Sequence, residues 1–213
     1  MAGFLYNCYH KEIDINHGIK TVAMKEIRIH GRGGHGVVFG SEIFVSALIR
    51  ERKFASSFPF FGVERRGAPV FGFVRFDEKP VRQKDQVYHP DCVVVMDGTL
   101  FKAVNVYQGI KEKSTLVLNE SRGIEGLTIP GNVHRVGLVD ATRISLETIK
   151  AFIPNTAMLG ALCRTTGWVS LSSLVKSVGK SFNRKIRQKN IDMVERAYEE
   201  TKIYERGEDG KWH

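Results

Sequence analysis

The strongest constraint on the fold is a glycine-rich segment that joins a strand-like pattern to a helix-like one. In "IHGRGGHGVVFGSE", residues 29–42, glycine occupies five of the ten positions from 31 to 40. Ile27 and Ile29 alternate before it, and apolar residues at helical spacing follow it: Phe39, Ile43, Phe44, Ala47 and Leu48. Glycine weakens both strands and helices, so this density indicates a tight turn or the close approach of a ligand. The pattern predicts a strand at 25–31 and a helix at 38–50.

Further apolar runs predict strands at 70–76, 92–96, 114–119 and 133–139, with "CVVVM" typical of a strand buried on both sheet faces. Helical spacing prevails from Asp140 through residue 205. This alternation predicts an α/β fold, a single three-layer α/β/α domain with a largely parallel or mixed sheet. The domain is expected to span 24–213, after an N-terminal extension at 1–23. The stretch 54–69, "FASSFPFFGVERRGAP", shows neither period, and we expect a functional or partner-bound loop there.

Composition excludes several functional classes. The three cysteines (Cys8, Cys92 and Cys163) are far apart, so neither a disulfide framework nor an iron–sulfur cluster held by this chain alone is expected. No metal site is predicted. No apolar stretch approaches a membrane span and no secretory signal is evident, so no membrane association and a cytoplasmic location are expected. The net charge of +9 favours a polyanionic partner, but the basic stretch 176–189 contains one aromatic residue, so nucleic acid is not expected.

The glycine loop has the makings of an anion site, because a helix N-terminus after a glycine turn presents backbone N–H groups to a phosphate. Neither common nucleotide motif is complete. No acidic strand end follows about 20 residues later, as NAD binding requires, and no lysine follows as in a P-loop. The alternative is a purely structural turn. The candidate cofactor-binding residues are Gly31, Arg32, Gly33, Gly34, His35 and Gly36. The guanidinium of Arg32 can donate hydrogen bonds to two phosphate oxygens at once. His35 has three open roles: donating to a phosphate, capping the helix or filling the bend.

A second candidate lies in "FGVERRGAPV", residues 61–70. The neighbouring aromatic and arginine side chains have the composition of an interface hot spot, which indicates a contact loop for a partner protein or an anionic ligand. The candidate contact residues are Phe60, Phe61, Arg65 and Arg66. The alternative is a surface pair between Glu64 and one arginine. "DGT" at 97–99 follows a predicted buried strand. It can contribute to the ligand crevice that α/β sheets form at the carboxyl ends of their strands, or it can be a turn in which Thr99 is the N-cap. No residue is predicted to be catalytic.

Four segments in order, "RIHGRGGHG", "FPFFGVERRGAPV", "PDCVVVMDGTL" and "PNTAMLGALCRTTGWVSLSSL", resemble the gamma subunit of 2-oxoacid:ferredoxin oxidoreductases. The resemblance covers residues 25 to about 200 and is strongest to the pyruvate branch. The family loop is mostly G-x-G-G-Q-G, so His35 stands where glutamine is usual.

The resemblance implies a subunit that is inactive alone. Its complexes oxidatively decarboxylate a 2-oxoacid on thiamine diphosphate with Mg, pass electrons through iron–sulfur clusters to ferredoxin, and transfer the acyl group to coenzyme A. The implied partners are alpha, beta and delta subunits, which hold thiamine diphosphate, Mg and the clusters. The equivalent domain of related single-chain enzymes is implicated in coenzyme A binding, which agrees with a phosphate site in the loop. A stand-alone nucleotide- or phosphate-binding α/β protein remains the alternative.

Overall fold

The computed structural model describes residues 24–61 and 67–213, which form seven strands, five α-helices and one 3-10 helix. The predicted extension at 1–23 lies outside the described residues. The strands are β1 Lys25–Arg32, β2 Phe54–Phe61, β3 Pro69–Asp77, β4 Cys92–Val95, β5 Ser114–Asn119, β6 Val133–Val139 and β7 Lys202–Glu205. The helices are α1 Val37–Arg50, α2 Ala141–Ile149, α3 Asn155–Thr166, α4 Leu171–Ser181 and α5 Arg184–Glu200, with the 3-10 helix at Gly98–Lys102.

All seven strands form one mixed sheet in the order β2-β3-β1-β4-β5-β6-β7. The central strands β1, β4, β5 and β6 run parallel, with Ile29 beside Val94 and Val94 beside Val117. The outer strands β2, β3 and β7 are antiparallel to their neighbours. The predicted α/β class and mixed sheet are confirmed.

The two faces of the sheet are covered differently. Side chains such as Ile27, Ile29 and Val94 share one buried core with residues from all five α-helices. On the other face, Val93 and Val95 pack with Leu100 of the 3-10 helix and with apolar residues of the connecting segments. The layer on this second face therefore consists of a 3-10 helix and connections, whereas the α/β/α prediction expected α-helices on both faces.

Two predictions about individual segments were wrong. Residues 54–61, expected to be an irregular loop, form the edge strand β2, in which Pro59 is tolerated because an edge strand pairs on one side only. The last four residues of the predicted helical region, 202–205, form strand β7 against β6 rather than continuing the helix. The remaining predicted strands and the helix after the glycine loop are confirmed, the helix beginning at Val37.

Among residues 24–61 and 67–213, no helix combines the length and apolar character needed to cross a bilayer.

Candidate functional site

The glycine loop follows the carboxyl end of β1, next to the carboxyl end of β4. From β1 the chain turns to α1 and the antiparallel strands on one side, whereas β4 continues the parallel sheet on the other. Loops that diverge at such a point leave a crevice in which α/β proteins bind ligands. The loop after β4 carries Asp97, Gly98 and Thr99, so the two predicted segments lie side by side.

Arg32 joins these two loops. Its Nε donates to Asp97 Oδ2 at 2.8 Å, and its Nη2 donates to Thr99 Oγ1 at 2.6 Å. Its Nη1 donates to the carbonyl oxygen of Gly67 at 2.9 Å. The guanidinium therefore already has a carboxylate partner, and its main role in the structure is to position the loops. The side chain is 25% exposed, so the guanidinium is only partly buried.

The surroundings of Asp97 favour the ionised form of its carboxyl group. Burial raises the pKa of this carboxyl, but hydrogen bonds from Thr99 and Arg32, together with the charge of Arg32, outweigh burial and leave the pKa below its ordinary value. Thr99 donates to Asp97 Oδ1 through both its backbone N–H, at 2.8 Å, and its hydroxyl, at 2.7 Å. Asp97 is thus the N-cap of the 3-10 helix. Of the two alternatives for 97–99, the turn with Thr99 as its cap is therefore wrong in the identity of the cap.

His35 fills the bend between β1 and α1. The residue is 7% exposed, and its Nδ1 accepts a hydrogen bond from the backbone N–H of Arg32 at 3.4 Å. Its ring packs edge-on against the ring of Phe152, with the ring centroids 5.0 Å apart. Burial lowers the pKa of His35; the charge of Asp97 opposes this shift and that of Arg32 adds to it. The N-cap of α1 is Gly36, with no side-chain cap. Of the three roles left open, the structure supports packing.

The loop glycines divide into two groups. A Cβ on Gly31 would overlap the Val37 side chain, and one on Gly36 would overlap the Asn155 amide. Both positions are therefore occupied by packing within the protein. A Cβ on Gly34 or Gly98, by contrast, would meet no atom of the described residues within 4 Å. Considering the described residues alone, the loop backbone that a ligand can approach is at these two positions.

Gly33 belongs to the structural group through its backbone. Its N–H donates to the carbonyl oxygen of Ala68 at 2.9 Å, and its own carbonyl oxygen accepts from the Gly67 N–H at 3.2 Å. These bonds continue the pairing of β1 with β3 past the ends of the strands. The side of the loop formed by Gly34 therefore remains as the approachable one.

The predicted contact residues fall in different places. Phe60 lies on the edge strand β2, is 39% exposed and contacts Phe71, with ring centroids 6.3 Å apart. Phe61 is the last residue of β2. Arg65 and Arg66 lie outside the described residues, so their predicted role stays a prediction.

Sequence reasoning missed Asn155, at the start of α3. Its Nδ2 donates to the carbonyl oxygen of Gly36 at 3.2 Å, and its Oδ1 accepts from the Thr156 N–H at 2.8 Å. This side chain is 3% exposed and clamps α3 onto the glycine turn. No local pattern identifies a contact across 119 positions.

The two described cysteines are core residues, as predicted. Cys92 is 0% and Cys163 is 1% exposed. Burial and the Asp91 carboxylate raise the pKa of the Cys92 thiol, and burial and Glu51 raise that of Cys163 to about 12. Within the described ranges no three His, Cys, Asp or Glu side chains are grouped to hold a metal ion.

The chain matches known proteins over nearly all the described part. Residues 26–200 match the family described as pyruvate ferredoxin/flavodoxin oxidoreductase. Pyruvate synthase subunit PorC of Methanothermobacter thermautotrophicus is 49% identical over 177 residues, 83% of this chain and 96% of that protein. The pyruvate/ketoisovalerate oxidoreductases common subunit gamma of Pyrococcus abyssi is 44% identical over 184 residues, 85% of this chain and 100% of that protein.

Solved structures of related proteins have the same fold as this chain. Pyruvate oxidoreductase subunit PORC of Thermotoga maritima matches with a TM-score of 0.72 and 36% identity, covering 84% of this chain and 98% of that one. The 2-oxoglutarate:ferredoxin oxidoreductase of Magnetococcus marinus, solved with 2-oxoglutarate, coenzyme A and succinyl-CoA bound, shares the fold, with a TM-score of 0.68 and 19% identity. That match covers 84% of this chain and 31% of the other. The chain belongs to the pyruvate ferredoxin/flavodoxin oxidoreductase family, in which it corresponds to the gamma subunit.

Proposed function

We propose that this chain serves a pyruvate:ferredoxin oxidoreductase complex by binding the phosphates of coenzyme A and by contacting alpha, beta and delta subunits. The proposal of pyruvate rests on the relative named pyruvate synthase subunit PorC. The Pyrococcus abyssi relative is named as common to pyruvate and ketoisovalerate oxidoreductases, so the choice between 2-oxoacids is assigned to the other subunits. Family membership favours this function over a stand-alone phosphate-binding protein.

The redox cofactors are assigned to the partner subunits. When bound in the complex, thiamine diphosphate with Mg supplies the decarboxylation chemistry, and iron–sulfur clusters carry electrons to ferredoxin. Cys92 and Cys163 do not fit a cluster, because a cluster needs about four grouped thiolates and, among the described residues, no three His, Cys, Asp or Glu side chains are grouped to hold a metal ion. This chain contributes binding and positioning only.

The observation that carries the proposal is the pair of open glycines, Gly34 and Gly98, on adjacent loops. Without side chains, both positions let a phosphate come close to backbone N–H groups, and the N-terminus of α1 adds a favourable dipole. The Arg32 bridge to Asp97 and Thr99 holds the two loops together, so little ordering is needed on binding. The guanidinium of Arg32, 25% exposed, lies beside the loops and offsets the negative charge of Asp97 there.

The test is the Gly98→Ala variant in the assembled complex. Gly98 does not have a positive φ, so alanine causes neither backbone strain nor a clash with described residues. A methyl group at the place of closest approach is expected to raise the Michaelis constant for coenzyme A about tenfold, equivalent to about 1.4 kcal/mol. The Michaelis constant for pyruvate should stay unchanged.

Gly131→Ala is the matched control. Gly131 also lacks a positive φ, and its Cβ would meet no described atom within 4 Å, but it lies in the connection between β5 and β6. This variant should leave both constants unchanged. A Gly98→Ala complex whose coenzyme A constant stays within twofold of the control would refute the proposed phosphate site.

A further inference from the structure

The segment 176–189 carries a dense group of positive charges. It joins the second half of α4 to the start of α5 and contains no aspartate or glutamate. Its six cations, called here the basic surface, are all exposed: Lys176, Lys180, Arg184, Lys185, Arg187 and Lys189. They account for most of the net charge of +9, and the proposed function assigns them no role.

The cations of the basic surface form no ion pair with a carboxylate in the described part of the chain. On the neighbouring helix α2, by contrast, Arg143 is paired with Glu147 and Glu200. Within the basic surface, the Nε of Arg187 donates to the backbone carbonyl oxygen of Phe182 at 3.3 Å, which leaves the charge of the guanidinium uncompensated. The positive charge is therefore not neutralised by the described residues and is available to another molecule.

The same charges oppose the stability of α5. Arg184, Lys185 and Arg187 lie in its first turn, where the peptide dipoles of a helix disfavour positive charge, and no acidic residue is present in that turn. Lys185 and Lys189 are four positions apart, a spacing at which like charges on a helix repel each other. Because this arrangement costs the helix stability, it indicates that the charge serves binding.

Exposed apolar side chains lie among these cations. Ile186 in the first turn of α5 is 39% exposed, and Phe39 of α1 is 37% exposed. The ring of Phe39 packs edge-on against that of Phe182, between α4 and α5, with the ring centroids 5.2 Å apart. An apolar centre with a polar rim is typical of protein–protein interfaces. Nucleic-acid bases need free aromatic faces for stacking, whereas Phe182, the one aromatic residue of the segment, packs against the core.

The basic surface lies close to the glycine turn. Asn190 of α5, which directly follows it in sequence, accepts a hydrogen bond from the Thr156 hydroxyl at 3.1 Å. The neighbouring Asn155 is the residue that clamps α3 onto Gly36. Phe39 lies in the first turn of α1, which begins directly after that glycine. A protein bound to the basic surface would therefore lie next to the crevice that is proposed for coenzyme A.

We propose that the basic surface docks a carboxylate-rich surface of a partner subunit in the assembled complex. Its cations pair with carboxylates at the rim, and Phe39 and Ile186 pack against apolar side chains at the centre. The charge favours an acidic partner over a second copy of this chain, because two copies of the same basic surface would repel each other. The inference rests on the proposed function, since it assigns a surface through which this chain joins the complex.

The experiment titrates the full chain into a preparation of the alpha, beta and delta subunits and measures the dissociation constant. Arg184→Glu combined with Lys185→Glu should raise this constant at least about tenfold. Acidic residues at the start of α5 suit its dipole, so the melting temperature of the variant chain should not fall. Arg82→Glu combined with Lys84→Glu is the matched control. It makes the same change in net charge at exposed residues between β3 and β4 and should leave the constant within twofold.

Two further measurements separate the apolar and the charged contributions. Ile186→Ala should raise the dissociation constant at least about fivefold, whereas Ile49→Ala, at an exposed isoleucine in the last turn of α1, should leave it unchanged. Raising the KCl concentration from about 0.1 to 1 M shortens the screening length from about 10 to 3 Å. It should therefore weaken binding of the unmodified chain more than binding of the Arg184 and Lys185 variant.

Equal dissociation constants for the Arg184 and Lys185 variant and its control would overturn the inference. So would normal assembly with a change only in the Michaelis constant for coenzyme A or only in the binding of duplex DNA, because the surface would then serve a phosphate ligand or nucleic acid. In these cases the chain still joins the complex, and the Gly98→Ala test of the phosphate site is unaffected. Failure of the unmodified chain to bind the other subunits would overturn the proposed function together with this inference.

Discussion

Replacing Gly36 with alanine should destabilise the chain by about 2–5 kcal/mol. The φ of Gly36 is +74°, and an L-residue in this left-handed region costs about 1–2 kcal/mol. The new Cβ would also overlap the Asn155 amide, whose Nδ2 donates to the Gly36 carbonyl oxygen at 3.2 Å. Displacing this buried amide leaves polar groups unpaired, at a cost of about 1–3 kcal/mol.

Gly34→Ala separates these two contributions. The φ of Gly34 is +100°, but a Cβ there meets no described atom within 4 Å, so only the backbone strain of about 1–2 kcal/mol applies. Urea unfolding of the full chain, followed by circular dichroism, measures both free energies. In an Asn155→Ala background, Gly36→Ala should cost at least about 1 kcal/mol less, because the displaced hydrogen bond is already absent. Equal costs for Gly36→Ala and Gly34→Ala, with no coupling to Asn155, would refute the clamp between α3 and the glycine turn.

Three further predictions follow from other parts of the chain. Val94 is 1% exposed in the central strand β4, and an unpaired buried carboxylate costs several kcal/mol. Val94→Asp should therefore be insoluble, while Val94→Ala remains folded. A soluble Val94→Asp chain with an unchanged melting temperature would contradict the placement of this strand. Burial and the charge of Arg28 lower the pKa of His30 from 6.5 to about 3, so His30 stays neutral in the folded state while the unfolded state gains a proton below about pH 6.5. Stability should therefore fall by up to about 1.4 kcal/mol per pH unit as the pH falls towards 3. Urea unfolding from pH 7.5 to 5 should show a shallower fall for His30→Gln than for the unmodified chain, and identical slopes would contradict the lowered pKa of His30. Replacing Arg65 and Arg66 with alanine should reduce the yield of assembled complex without changing the circular dichroism of the chain, and full assembly would remove these residues from the interface.

The central strands were predictable because their sequences are dominated by burial. Residues 92–95 form an unbroken apolar run between two parallel neighbours, which is the pattern typical of a strand buried on both sheet faces. The edge strands were not predictable in this way. In β2 the serines and Pro59 obscure the alternation of Phe58 and Phe60, and pairing with β3 is a tertiary interaction. The four residues of β7 directly follow a helix and are too few to show a period.

The candidate site was predictable as a location but not as a set of contacts. The glycine density correctly placed a strand–turn–helix unit, and "DGT" correctly marked the neighbouring strand end. The sequence did not indicate that Arg32 is paired with Asp97, because partners 65 positions apart meet only once the parallel strands align. For the same reason it did not separate Gly36, which packs against Asn155, from the open Gly34.

The most direct test of the account is reconstitution of the complex with and without this chain. Co-expression with the alpha, beta and delta subunits should give a complex that reduces ferredoxin in a reaction dependent on both pyruvate and coenzyme A. A preparation that lacks only this chain should lose that activity, and adding the purified chain should restore it. Full coenzyme A-dependent activity without this chain, or failure of the chain to join the other subunits, would contradict its proposed role in coenzyme A binding and assembly.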